Sequence, residues 1–276
     1  MLNHYENVDD ATIQSWVDQF NRDGYLFLPE VLTQDLCAQL RADLDRELND
    51  PSSPRHHGGY HPDALMRLCV RMFEGSRANL SLFDMNPIAK FAEKVISDVN
   101  PGLEGGVHVT HNNSFITKTG SGLSNWHQDD APHFLVTGGE APKNIKLPVL
   151  FFTANYYLTD VTEKAQGGTE VIAGSHLFGK PVPPAFDPEN SEYAHLYRPC
   201  LGKAGSLCMF NNQVWHRGGP NQSDRTRYIT QVTYGRRCIN HMYYPFMNYN
   251  MPEHVYKDAN PRLKRLLGFL PSGAYG

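Results

Sequence analysis

Trp126-His127-Gln128-Asp129 places an imidazole and a carboxylate two residues apart near the middle of the chain. In an extended segment, residues i and i+2 point to the same face. The spacing predicts that His127 and Asp129 project together while Trp126 and Gln128 turn the other way. A ring nitrogen and a carboxylate oxygen on one face are two legs of a metal site. Alone the pair is a weak signal, because composition supplies about one such triplet by chance. His61-Pro62-Asp63 repeats the spacing, but it sits in the Pro/Gly/His-rich run 51–63, where no strand phase aligns the two side chains.

A third leg has to come from a neighbouring strand. His216 follows the apolar run Leu207-Cys208-Met209-Phe210 and precedes Gly218-Gly219, and Arg227 stands eleven residues beyond it. The pattern predicts a hairpin in which Arg227 opens a strand that pairs back antiparallel. Its guanidinium would lie deep beside the metal, where it can grip a carboxylate through two N–H bonds. Arg225 reads as an ordinary exposed arginine. Two histidines and one carboxylate on one face, with open positions, match the ligand set of non-haem Fe(II) oxygenases. A zinc hydrolase can use the same three ligand types, but Arg227 would then have no task.

The elements that must hold these residues fall into two textures. From about 9 to 105 the chain reads as mainly helical. Acidic residues open "DDATIQSWVDQFNRDG" and Gly24 closes it. "YLFLPEVL" follows as a strand. Thr33 then caps a second helix with Leu36, Leu40, Leu44 and Leu48 on one buried face. Further helix is expected from about 62 to 99. From 107 to about 250, short runs rich in Val, Phe, Tyr and Thr recur between Gly-rich turns. They are "GVHVTHNNSFITK", "SNWHQDD", "LPVLFFTANYYLTDV", "GGTEVIAGS", "AGSLCMFNN" and "RTRYITQVTYG". This predicts an all-β sandwich or barrel with helices braced outside it. Residues 180–203 read as a surface excursion. His108 and His111, three apart in a strand, are expected on opposite faces.

Composition narrows the class. The 276 residues are 40% hydrophobic and 20% charged, enough for one sizeable core and too little charge for a disordered chain. A net charge of −4 with scattered Lys and Arg argues against a nucleic-acid surface. Five cysteines without a CxxC suit a reducing compartment. The start lacks the basic and apolar runs of a signal peptide. No window approaches the roughly 18 apolar residues of a membrane span. A cytoplasmic protein with a small-molecule partner, and neither nucleic acid nor membrane, is the expectation.

Several segments together resemble the phytanoyl-CoA dioxygenase family of Fe(II)/2-oxoglutarate oxygenases. "WHQD" is similar to the family's first ligand pair, "GGTEVIAGSHLFG" to its Gly-Gly…Gly-Ser-His segment, and "AGSLCMFNNQVWHRGGPNQSDRTRY" to its distal-histidine block. "FNRDGYLFLPEVL" resembles its opening. The resemblance runs from about residue 18 onward and implies a single domain over 1–276. The implied fold is a double-stranded β-helix, a cupin-like jelly roll, mainly β with flanking helices. The resemblance further implies Fe(II) on His127, Asp129 and His216, with 2-oxoglutarate and O2 as cosubstrates. Arg227 would take the distal carboxylate of 2-oxoglutarate, with Thr169, Ser114 and Asn155 nearby. Gly218 stands where members often carry serine, and Asn155 where some carry tryptophan. His176 reads as a turn residue. His56, His57 and His61 are placed on a lid loop.

The implied activity is oxidation of a substrate C–H bond coupled to conversion of 2-oxoglutarate to succinate and CO2. Asp129 argues against a halogenase, whose chloride needs that position. A non-catalytic binding protein would be expected to have lost a ligand, and none is missing. The expected pocket rim comprises 55–63, 111–113 around Asn112, 131–134 around His133 and 243–249 near Tyr243. Its polar and aromatic character favours a small polar metabolite, as in natural-product tailoring, over an acyl-CoA.

Overall fold

The computed structural model describes residues 5–97, 106–122, 125–140, 146–243 and 248–269. Helix α1 (Asp10–Asp23) starts where Asp9 accepts a hydrogen bond from the Thr12 amide and stops at Gly24, whose φ of 76° suits a residue without Cβ. Helix α2 (Gln34–Asn49) is capped by Thr33, and Leu36, Leu40, Leu44 and Leu48 are all buried, as their spacing predicts. The short α3 (Met72–Gly75) and α4 (Arg77–Ser81) lead to α5 (Ile88–Ser97). Two short helices, α6 (Glu253–Tyr256) and α7 (Pro261–Leu266), come last.

The strands among the described residues are β1 (Tyr25–Leu28), β2 (Met66–Val70), β3 (Val107–Thr117), β4 (Phe151–Tyr157), β5 (Thr169–Ile172), β6 (Tyr197–Pro199), β7 (Leu207–Asn211), β8 (His216–Gly218) and β9 (Arg227–Arg236). The major sheet runs β1-β7-β4-β9-β3-β2 and the minor sheet β6-β5-β8, with every pairing antiparallel. A single bridge adds His127 to the free edge of β8. This is the jelly roll that the strand pattern and the resemblance imply.

Alternation along the long strands separates core from cavity. Phe152, Ala154 and Tyr156 of β4 and Val232 and Tyr234 of β9 join Ile13, Val17 and Phe20 of α1 in the main apolar core. Phe20 meets Phe152 edge-on at 5.4 Å between ring centroids. Each such side chain contributes roughly 1.5–3 kcal/mol by burial. The intervening residues Thr153, Asn155, Arg227, Ile229, Gln231 and Thr233 line a cavity on the opposite face of the sheet.

Four expectations are corrected. Within 62–99 the chain forms strand β2 and three short helices, because Met66–Val70 pairs with Asn113–Thr117 along the edge of the major sheet. The segment around His127 is a single bridge residue and no strand, and Ser124 lies outside the described residues. The excursion 180–203 ends in β6, an edge of the minor sheet. Strand β9 does not pair back on β8: β8 pairs with β5, and β9 crosses to the major sheet between β3 and β4. Among the described residues no helix is long and apolar enough to cross a membrane.

Candidate metal centre

Reciprocal backbone bonds fix the first two ligands opposite each other. The His127 amide donates to the His216 carbonyl at 2.9 Å and the His216 amide donates to the His127 carbonyl at 3.0 Å. The Asp129 amide donates to the Asn212 carbonyl at 3.0 Å, which brings its carboxylate back toward both rings. One ligand atom from each of His127, Asp129 and His216 falls within 4.8 Å of the others. Asp129 Oδ1 is 3.3 Å from His216 Nε2 and 3.7 Å from His127 Nε2.

Neighbouring carbonyls set the tautomers. His127 Nδ1 lies 2.8 Å from the Asn125 carbonyl and His216 Nδ1 lies 2.9 Å from the Val214 carbonyl. A carbonyl only accepts, so each Nδ1 carries the hydrogen and each Nε2 keeps a lone pair turned toward the shared point. Phe210 backs the His216 ring at 4.3 Å between centroids. Burial tends to raise the Asp129 carboxyl, but the two imidazoles outweigh it and hold the group below its ordinary value. His127 is lowered by burial and by His216. Burial pulls His216 down, yet Asp129 carries it above the ordinary value. Three convergent donors of this kind fit a divalent metal that keeps open coordination positions.

The residues flanking the ligands are braced as well. The Arg217 guanidinium lies over the Trp126 ring at 5.1 Å and its Nε donates to buried Glu170 at 2.7 Å. Trp126 is thus stacked across the bridge from Arg217, which holds the His127 and His216 backbones in register.

At the other end of the cavity Arg227 is 4% exposed. It donates to the Gly219 carbonyl and to Thr117 Oγ1, both at 3.1 Å, while its Nε has no partner. No carboxylate among the described residues pairs with it, and burial lowers its guanidinium to about 10. A buried cation without an anion is costly. The groups around it leave room for one: a Cβ on Gly167 would come within 2.8 Å of the guanidinium. Thr169 and Asn155 meet in the same cavity, with Asn155 Nδ2 donating to Thr169 Oγ1 at 3.2 Å and Asn155 Oδ1 buried without a partner. Gly218 pairs with Thr169 across β5 and β8 and lines the same cavity.

The cavity holds about 1110 Å³ and joins the triad to Arg227. Of the expected residues, His127, Asp129, His216, Arg227, Thr169 and Asn155 line it. Ser114 does not. Its hydroxyl faces away, sharing a hydrogen bond with Thr230 at 2.7 Å, because β3 presents His111, Asn113 and Phe115 to the cavity. On the rim, His56, His57, His61, His111 and Asn113 are present, while Asn112, His133 and Tyr243 are not. Asn112 turns to the Phe73 amide, and Tyr243 is buried with Phe73 and Tyr249.

His176 stays apart from the triad and meets the Asn21 carbonyl at 3.0 Å. The expectation for His108 and His111 fails at a β-bulge between Val109 and His111. They pair with Gly235 and Thr233, alternate positions of β9, so both fall on one face. His108 meets His241, and His111 reaches the cavity. Sequence reasoning missed Thr153, Gln231 and Thr233. The signal was available, since Gln231 and Thr233 continue the alternation that starts at Arg227.

A jelly roll with a two-histidine, one-carboxylate triad between its sheets is an arrangement of the non-haem iron oxygenases. The chain belongs to the phytanoyl-CoA dioxygenase (PhyH) family, which it matches over residues 20–229. Its cofactors are those of that family, Fe(II), 2-oxoglutarate and O2. Among curated proteins none matches the chain. Among solved structures it is similar to the non-heme alpha ketoglutarate dependent epimerase SnoN from nogalamycin biosynthesis. The TM-score is 0.60 and the identity 21%, over 82% of this chain and 84% of that one. It is also similar to HygX from Streptomyces hygroscopicus, solved with nickel, 2-oxoglutarate and hygromycin B. There the TM-score is 0.58 and the identity 16%, over 83% and 89% of the two chains. The carbocyclase SnoK from nogalamycin biosynthesis gives a TM-score of 0.56 and 18% identity over 83% and 85%.

Proposed function

We propose that the protein is an Fe(II)- and 2-oxoglutarate-dependent oxygenase that oxidises a C–H bond of a small polar metabolite. His127, Asp129 and His216 hold the iron in this reading, and Arg227 with Thr117 takes the distal carboxylate of 2-oxoglutarate. Thr169 and Asn155 sit beside that carboxylate. Bound iron supplies the O2 chemistry that converts 2-oxoglutarate to succinate and CO2. The chain's own contribution is placement. The carbonyls of Asn125 and Val214 keep both Nε2 atoms available, and Asp129 supplies the anionic ligand.

One observation carries the proposal: a three-donor metal site and a buried arginine lacking an anionic partner share one cavity. A metal hydrolase would use the first and leave the second unexplained. A role in natural-product tailoring is supported by the polar side chains Asn113, Gln231, Thr153 and Thr233 on one wall of the cavity and by solved neighbours bound to hygromycin B or nogalamycin RO. The test is metal analysis joined to O2-dependent succinate release. Iron uptake with succinate formed only in the presence of O2 is expected. Hydrolytic turnover with zinc and no succinate would overturn the proposal.

A further inference from the structure

The inward face of the major sheet carries two rows of polar side chains opposite the triad. In one row Asn113, Gln231 and Asn155 stand side by side on β3, β9 and β4. In the next stand His111, Thr233 and Thr153. An apolar row, Phe115 and Ile229 with Tyr157, separates these from Arg227 and Thr117. Asn155 is already placed beside the cosubstrate end, which leaves five side chains facing the cavity with no task assigned.

Their hydrogen-bonding capacity is mixed and neutral. Asn113 is 5% exposed, and its Oδ1 is buried without a partner. Its Nδ2 donates to His111 Nδ1 at 3.3 Å, so the His111 hydrogen sits on Nε2. Burial lowers His111 to about 4, which keeps the ring uncharged near neutral pH. The Thr153 and Thr233 hydroxyls are 3.1 Å apart; one donates to the other, and one hydroxyl hydrogen remains. The Gln231 side chain lines the cavity and has no hydrogen-bond partner among the described residues. Donors and acceptors thus alternate over one patch.

The cavity's other cations are engaged by the protein. Arg217 is bonded to Glu170 at 2.7 Å. Arg71 donates to the Pro54 carbonyl at 3.1 Å and lies 3.7 Å from Glu74, and Arg67 donates to the Leu48 carbonyl. Arg217 and Arg71 are thus already matched by carboxylates, and Arg67 is turned to a backbone carbonyl. An acyl chain would leave Asn113 Oδ1 and the Gln231 amide dry and unpaired, at the cost of their desolvation.

Resting on the function proposed above, we infer that Asn113, Gln231, His111, Thr153 and Thr233 form the primary-substrate subsite, and that it takes a neutral molecule carrying several hydroxyl groups, such as a polyol, a glycoside or a polyhydroxylated ring. A hydroxyl both donates and accepts, which is what an alternating patch demands. The side chains are specificity determinants: they hold the substrate against the sheet and leave the iron to the triad.

Saturation-transfer NMR on the full chain loaded with Zn(II) and 2-oxoglutarate tests this without turnover. The probes are methyl glucoside and myo-inositol as neutral polyols, octanoate and glycerol phosphate as anions, and octanamide as an acyl chain. Transfer to the polyols alone is expected. In Gln231→Leu, and in the near-isosteric Thr153→Val/Thr233→Val pair, the polyol signal should weaken by about three- to tenfold per lost partner. Affinity for 2-oxoglutarate, titrated in the same samples, should stay within about twofold of wild type, a shift well below one lost hydrogen bond. Transfer to octanoate, glycerol phosphate or octanamide in place of the polyols would overturn the inference. So would variants that lose 2-oxoglutarate and keep polyol binding. A wild-type chain that binds neither metal nor 2-oxoglutarate would instead overturn the function on which the inference rests.

Discussion

Arg227 and Asp129 divide the site's work, and replacing each should give a different loss. Arg227 is buried, holds two neutral acceptors and lacks an anion. Truncating a buried charged pair costs roughly 2–5 kcal/mol. Arg227→Ala is therefore expected to raise the KM for 2-oxoglutarate by one or more orders of magnitude while Fe(II) affinity holds. Arg225→Ala, at an exposed turn, should change neither. Steady-state kinetics against 2-oxoglutarate together with an iron titration reads both. Asp129→Gly should abolish C–H oxidation, because it removes the anionic leg from a site that otherwise holds two neutral imidazoles. Unchanged oxidation would shift the ligand to Asp130. His127→Ala and His216→Ala should each lower Fe(II) affinity sharply with the fold retained, as followed by circular dichroism.

At the scale of elements, the turn before β5 positions the cosubstrate end. Gly167 has a φ of 75°, and a Cβ there would meet the Gly219 carbonyl at 2.5 Å and the Arg227 guanidinium at 2.8 Å. Gly167→Ala should weaken 2-oxoglutarate binding in a direct titration and leave iron binding in place, because His127 and His216 are held by their own reciprocal backbone bonds. Much of this arrangement could be read from the residues. The i, i+2 spacing of His127 and Asp129 and the position of His216 are local features, and the helix caps at Asp9 and Thr33 are single-residue signals. What escaped was set by pairing between distant segments. Strand β2 is a strand because it meets β3, and nothing within "MRLCV" says so. The resemblance places Ser114 near Arg227, but its strand phase, which a chain without its partners does not fix, turns it to Thr230. The Thr110 bulge then moved His111 onto the face of Gln231 and Thr233. Arg227 reached the cavity by a crossover between sheets, a different path from the expected hairpin.

For the whole molecule, acid stability should follow the histidines buried in neutral form. His108 Nε2 faces the Arg236 and Ile239 carbonyls and Nδ1 faces His241 Nε2 at 3.3 Å. Burial, then His108, lowers His241 from 6.5 to about 4, and burial also lowers His108. Between about pH 6.5 and 4 the unfolded chain therefore binds more protons than the folded one. The contribution of these histidines to stability should be level above that window and fall as pH drops through it. Urea unfolding across the pH range checks the slope. His241→Asn should flatten it without removing it, since His111 titrates with the same sign.

Anomalous diffraction at the iron edge, from crystals grown without O2 in Fe(II) and 2-oxoglutarate, addresses the shared cavity itself. One iron peak should lie among His127 Nε2, His216 Nε2 and the Asp129 carboxylate, with the distal carboxylate of 2-oxoglutarate on Arg227. Iron bound away from these three atoms, or 2-oxoglutarate bound without reaching Arg227, would refute the assignment of the site.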